Sequence, residues 1–236
     1  MERGIACTGR GLYTAPMDAN GRKLILRDGG LSSLVAIACV KEALTLSSPA
    51  RAGDAAILAF GCAGPAREMM LRAVRAQAQA YAFQLLPELE AWLPEDADAM
   101  RRREGESIDL VRACFAGARG GCDSLVWPVQ CSREGTSDPD ALDLDWIARA
   151  SDKAVLAGRL AAVDADVHAK PSLAIDTPYV DVTDGQLADL ASEMDLPVRT
   201  CWWWAVTRRE GEAAVAERAK WLRVLARAGW SVPAGA

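Results

Sequence analysis

Histidine is nearly absent from this chain. His168 is the only one in 236 residues. Imidazole-rich metal centres and serine–histidine–acid triads therefore have almost nothing to build on. Around it, VDADVHAKPS brings Asp164 and Asp166 close in sequence, a thin ligand set in what reads as a solvated loop. The cysteines lack pairing. Cys7, Cys39, Cys62, Cys114, Cys122, Cys131 and Cys201 are odd in number and scattered, with no CxxC. That pattern indicates a reduced, cytoplasmic protein whose thiols are mostly small core residues. No apolar run approaches the roughly 18 residues that span a bilayer. The first residues lack the basic segment and apolar core of a secretory signal. Basic excess is missing too: the formal net charge is −5, which argues against general nucleic-acid binding. What remains is an ordinary globular composition, long enough for one large domain or one domain with a helical appendage.

The most informative stretch is Lys23–Leu44, KLILRDGGLSSLVAIACVKEAL. Lys23–Leu26 is a short apolar run that suits a buried strand. Arg27–Ser33 is a glycine-containing turn. Leu34–Leu44 has helical spacing, and Ser32 or Ser33 can cap it. Strand, glycine turn and helix form the nucleotide-cradling unit of open α/β sheets, in which free amides at a helix start face the ligand.

Further along, short apolar runs alternate with amphipathic stretches. Ala55–Phe60, Phe83–Leu86, Ser124–Val129 and Leu173–Ile175 read as strands. Ala66–Ala82, Gly105–Ala118, Leu144–Ala162, Asp184–Met194 and Glu210–Ala228 read as helices, with Thr183 as an N-cap. Pro65 suits a first helical turn. Ser47–Asp54, the acidic Leu89–Met100 and Ser132–Asp140 read as loops, and Val198–Trp204 as extended and aromatic. The expected fold class is α/β: a doubly wound, mostly parallel, Rossmann-like sheet of about five strands covered on both faces. Residues 1–22 form an N-terminal extension, with a candidate strand at Gly11–Thr14. Residues 23–204 form the α/β domain, and 205–236 a helical segment packed on it. Ligands bind such sheets beyond the carboxyl ends of the strands. That places Asp28–Ser33, and near it Phe60, Gly61, Cys62 and Arg67, around the expected cleft.

Asp28, Gly29, Gly30, Leu31, Ser32 and Ser33 resemble the pyrophosphate loop of the N-type ATP pyrophosphatases, Ser-Gly-Gly-x-Asp-Ser. From Lys23 to Trp230 the chain is similar to the 7-cyano-7-deazaguanine synthases within that adenine-nucleotide-hydrolase-like group. The similarity is carried by the glycine loop with LVAIACVKEA, by Ala55–Phe60 with the Arg67/Glu68 helix, and by Gly120–Asp123 with Ser124–Val129. The most specific segment is Ile175–Trp202, IDTPYVDVTDGQLADLASEMDLPVRTCW. The resemblance implies ATP-dependent adenylation of a carboxylate, conversion by ammonia to an amide and then a nitrile, magnesium on the phosphates, a four-cysteine structural zinc, and a homodimer. It also implies a place for Asp181 in the cleft or as a partner of backbone amides.

The departures are as informative. Asp28 puts a carboxylate where the group has serine, and Ser32 replaces its aspartate. A negative charge beside a phosphate costs on the order of 1 kcal/mol or more. After Val198 only Cys201 remains, so zinc is not expected. Trp202–Trp204 stand in its place, either stacking on a flat ring or filling the vacated space with apolar area. Gly105–Ser107 replaces a Gly-Arg-Asn segment and turns a basic position acidic at Glu106. Cys62 reads as a structural thiol, and Arg101–Arg103 as a solvated face. The expectation is a degenerate relative without the parent reaction, binding a nucleotide, a purine-like ligand or a protein partner. The alternative is an active ATP-dependent ligase whose Ser32, Ser33 and loop amides hold the phosphates.

Overall fold

The computed structural model describes residues 22–47, 55–59, 66–87, 99–133, 138, 140–163 and 173–231. In chain order these form β1 (Lys23–Arg27), α1 (Leu31–Ser47), β2 (Ala55–Ala59), α2 (Arg67–Ala80), β3 (Gln84–Leu85), α3 (Ala99–Arg119), β4 (Ser124–Val126), α4 (Leu144–Val163), β5 (Ala174–Asp176), α5 (Asp184–Glu193) and α6 (Glu212–Arg227). Single turns of 3-10 helix at Val198–Thr200, Trp202–Ala205 and Arg208–Glu210 join the last two helices.

The architecture is mixed α/β on a parallel sheet. Strands pair in the order β3-β2-β1-β4-β5, every pair parallel. β2, β1 and β4 make its body. The edges β3 and β5 are only two and three residues long. All five residues of β1 are buried, as a central parallel strand requires. Its side chains alternate between two cores. Ile25 joins a core built with α1, α2, α5 and α6, while Leu24 and Leu26 join one built with α3 and α4. The chain moves outward from β1 to β3, then returns to β4 on the other side. In open α/β sheets ligands bind at such a reversal, which here falls at the carboxyl ends of β1 and β4.

Several boundaries differ from the expectation for physical reasons. Arg27 is not in the turn: it is the last residue of β1, opposite Ala59. α1 starts at Leu31 rather than Leu34, so Ser32 and Ser33 lie inside its first turn and do not cap it. This helix is buried on nearly all sides, from Leu31 and Leu34 through Val40 and Leu44, so packing decides its extent more than local capping does. α3 begins at Ala99, ahead of the expected Gly105, so Ala99 and Met100 are helical. Trp202 and Trp203 are both buried neighbours. An extended strand would send them to opposite faces, and a 3-10 turn sends both inward. Met1–Gly21 with its candidate strand, Phe60, Gly61, Cys62, Pro65, Asp164, Asp166 and His168 lie outside the described residues. Among the described residues no helix is long and apolar enough to cross a membrane.

Candidate functional site

The loop after β1 is closed by its own side chain. Asp28 Oδ1 accepts hydrogen bonds from Gly30 N and from Ser33 Oγ, each at 2.7 Å. Ser33 Oγ in turn accepts from Asp28 N at 3.3 Å. The first of these is an Asx turn, in which a carboxylate reaches the amide two residues on. It places a negative charge at the positive end of α1, where an anion is favoured. Ser33 is buried, whereas Asp28 is exposed.

Both glycines have internal reasons to be glycine. Gly29 has φ +81°, a conformation that disfavours any side chain. A Cβ there would stand 2.8 Å from Ala73 Cβ and 3.0 Å from Met70 O, both on α2. Its carbonyl accepts from Trp202 N at 3.0 Å. A Cβ on Gly30 would stand 3.1 Å from Asp28 Oδ1. Gly29, Gly30 and Ser33, the three positions that match the pyrophosphate-loop pattern, are thus all engaged by the chain itself.

Arg27 lies beneath the loop at 1% exposure. Its Nη2 donates to Gln77 Oε1 on α2. Gln77 Nε2 donates onward to Thr200 O at 3.2 Å and Gly29 O at 3.4 Å. This relay ties β1, the loop, α2 and the tryptophan-bearing turns together. Among the described residues, Arg27 Nε and Nη1 find no hydrogen-bond partner. Burial pulls the guanidinium pKa down to about 10, against the opposing pull of Asp28, Cys201 and Tyr81. It stays charged at neutral pH, with Gln77 and Asp28 offsetting part of the cost of its burial.

Across the mouth, a second set of groups meets. Asp184, the first residue of α5, is 3% exposed. It accepts from Ser132 Oγ at 2.5 Å and pairs with Lys220 Nζ of α6 at 2.7 Å. Thr183 N-caps α5 in a capping box with Gln186, and its hydroxyl donates to Asp140 Oδ1 at 2.9 Å. Glu217, on α6, accepts from Trp221 Nε1 at 2.7 Å. Burial raises the Glu217 pKa, with Asp28 and Asp184 adding to the rise and Lys220 and Trp221 opposing it. Asp184, Glu217 and Lys220 escape sequence reasoning. Asp184 carries only the weak signal of an acidic residue next to a cap, and its partners are distant in the chain.

The other anticipated residues fall in different places. Asp181 is exposed at the end of a turn, three residues from the buried Asp184. Arg67 opens α2 with Nη1 4.0 Å from Glu68 Oε1. Trp203 is fully buried and stacks on Trp221, centroids 5.9 Å apart and planes at 16°. Trp204 tilts against Trp203 at 6.0 Å. The indoles therefore fill space between α2, the 3-10 turns and α6. Glu106 forms an ion pair with Lys153 at 2.7 Å, linking α3 to α4. Burial raises the thiol of Cys114 to about 11 and, with Glu106 and Asp143 adding, that of Cys131 to about 12. Both are inert small core residues. A groove of about 630 Å³ runs along α5, lined by Asp138, Asp140, Gln186, Asp189 and Arg227 among others. Among the described residues no three His, Cys, Asp or Glu side chains are grouped to hold a metal.

No family model matches the chain, and no curated protein matches it either.

Proposed function

We propose that the chain is a divergent relative of the 7-cyano-7-deazaguanine synthases, on the doubly wound parallel sheet of the adenine-nucleotide hydrolases, whose phosphate loop has become an internal cap. In this reading the ATP-dependent, nitrile-forming reaction is lost. The protein acts in the cytoplasm as a homodimeric binding or partner protein. Its ligand class is a nucleotide or purine-like ring held by its base and not by a phosphate on the loop, or a protein surface, beyond the carboxyl ends of β1 and β4.

One observation carries the reading: the Asp28 carboxylate already occupies the anion position of the loop, bonded to Gly30 N and Ser33 Oγ. A phosphate oxygen would have to displace it and then sit beside it. At about 4 Å two such charges repel by about 1 to 4 kcal/mol. The residues therefore do not fit ATP with its magnesium. Gly29, Gly30 and Ser33 favour the active-ligase alternative, but packing against α2, room for Asp28 and the bond to Asp28 Oδ1 account for the three in turn. The strand order lends support of a different kind, since an ancestral mononucleotide fold has its switch point at this loop.

Calorimetric titration of the full chain with ATP and magnesium tests the proposal. No tight binding and no release of pyrophosphate are expected at millimolar ATP. Tight binding with release of pyrophosphate would replace it with the ligase reading.

A further inference from the structure

Helix α4 is inverted. After its first turn, where Trp146 and Ile147 pack against the core, its inward residues are small: Ala150, Ala154, Ala157, Gly158 and Ala161. The backbone comes so close to β5 that a Cβ on Gly158 would stand 3.2 Å from Leu173 O. Along the same stretch its large apolar residues point the other way. Val155, Leu156, Leu160 and Val163 are 53%, 64%, 48% and 79% exposed. Spacings of one, five and eight residues put them on one side of the helix. A helix that hides alanine and shows leucine marks an interaction surface.

We propose that this face docks a second copy of the chain, helix against antiparallel helix, across a two-fold axis level with Val155 and Leu156. The proposal locates the contact of the homodimer in the reading above and rests on that reading for the dimer alone, not for the loop. The face is self-complementary. In a two-fold contact residue i meets j while j meets i. Setting Val155 against the partner's Leu156 puts Asp152 opposite the partner's Arg159 and Ala148 opposite the partner's Val163. Asp152, Arg159 and Ala148 are all exposed. Two ion pairs then flank an apolar centre, the arrangement that fixes register between helices. The four apolar side chains supply roughly half of the about 800 Å² that a standard interface buries on each partner. The intervening residues supply the remainder.

Sedimentation velocity of the full chain from about 1 to 100 µM tests this. The wild type is expected to run as a dimer. Leu156→Glu with Leu160→Glu should raise the dissociation constant roughly 30-fold or more, with an unchanged far-ultraviolet circular dichroism spectrum because both residues are outside the protomer's core. Asp152→Arg and Arg159→Asp should each weaken the dimer, and the two together should restore it. A monomeric wild type would overturn the proposal and leave the face to another protein or to a segment of its own chain. So would a dimer that survives the double glutamate variant, loss of folding in that variant, or charge reversals that fail to compensate.

Discussion

Arg27 is a buried cation with Nε and Nη1 unpartnered among the described residues, and its bonded neighbour Gln77 is 0% exposed. Removing the cation and removing its partner should therefore have opposite consequences. Arg27→Met fills the volume without a charge and is expected to be neutral or stabilising by about 1 kcal/mol. Gln77→Ala strands the guanidinium further and is expected to destabilise by about 2 to 3 kcal/mol. Urea unfolding measures both, and the reverse ranking would refute the role assigned to this pair. Glu217 provides a pH-dependent case. Its folded-state pKa lies above the ordinary carboxylate value because of burial first, then Asp28 and Asp184. The folded protein thus binds that proton more tightly than the unfolded chain. Its contribution to stability is full below the ordinary carboxylate pKa and is lost as pH rises through the folded value. Glu217→Gln keeps an acceptor for Trp221 and removes the charge. The variant should melt higher than wild type at pH 7, with the gap closing as pH falls through the carboxylate range. A gap that stays constant with pH would show that the charge is not the cause.

Helix starts decide how this molecule is built. α5 begins with a reciprocal cap in which Thr183 Oγ1 accepts from Gln186 N at 3.1 Å and Thr183 N donates to Gln186 Oε1 at 3.0 Å. Thr183→Ala removes that cap and the bond to Asp140, and is expected to cost about 1 to 2 kcal/mol in chemical unfolding, while Thr183→Ser retains most of it. A loss of only a few tenths would mean that the Lys220–Asp184 pair alone seats α5. This cap was readable in the sequence because Thr-Asp-Gly-Gln has the required spacing within four residues. The start of α1 was not. Ser32 and Ser33 look like caps, but the capping group is Asp28, which reaches past a positive-φ glycine to Gly30 N. Nor was the bend at Trp202–Ala205, since three adjacent indoles carry no periodicity from which to infer a 3-10 turn.

At the scale of the whole chain, alternation was legible and assembly was not. Runs such as KLIL and AAILA are too short and too apolar to be anything but buried strands, and they became β1 and β2. The mouth of the sheet depends on encounters across long stretches of chain, such as Ser132 with Asp184 and Asp184 with Lys220. No local pattern encodes these. The burial of Arg27 is hidden for the same reason, because arginine beside an Asp-Gly-Gly turn reads as solvated. The placement of Asp28 matters most: one carboxylate, standing where the resembled loop has serine, holds the Gly30 amide and the Ser33 hydroxyl that the loop would offer an anion. The most direct test is titration of inorganic pyrophosphate into the wild type and Asp28→Ser by calorimetry. The account predicts no binding to the wild type at millimolar pyrophosphate and measurable binding once the carboxylate is gone. Pyrophosphate bound by the wild type, or by neither protein, would contradict it.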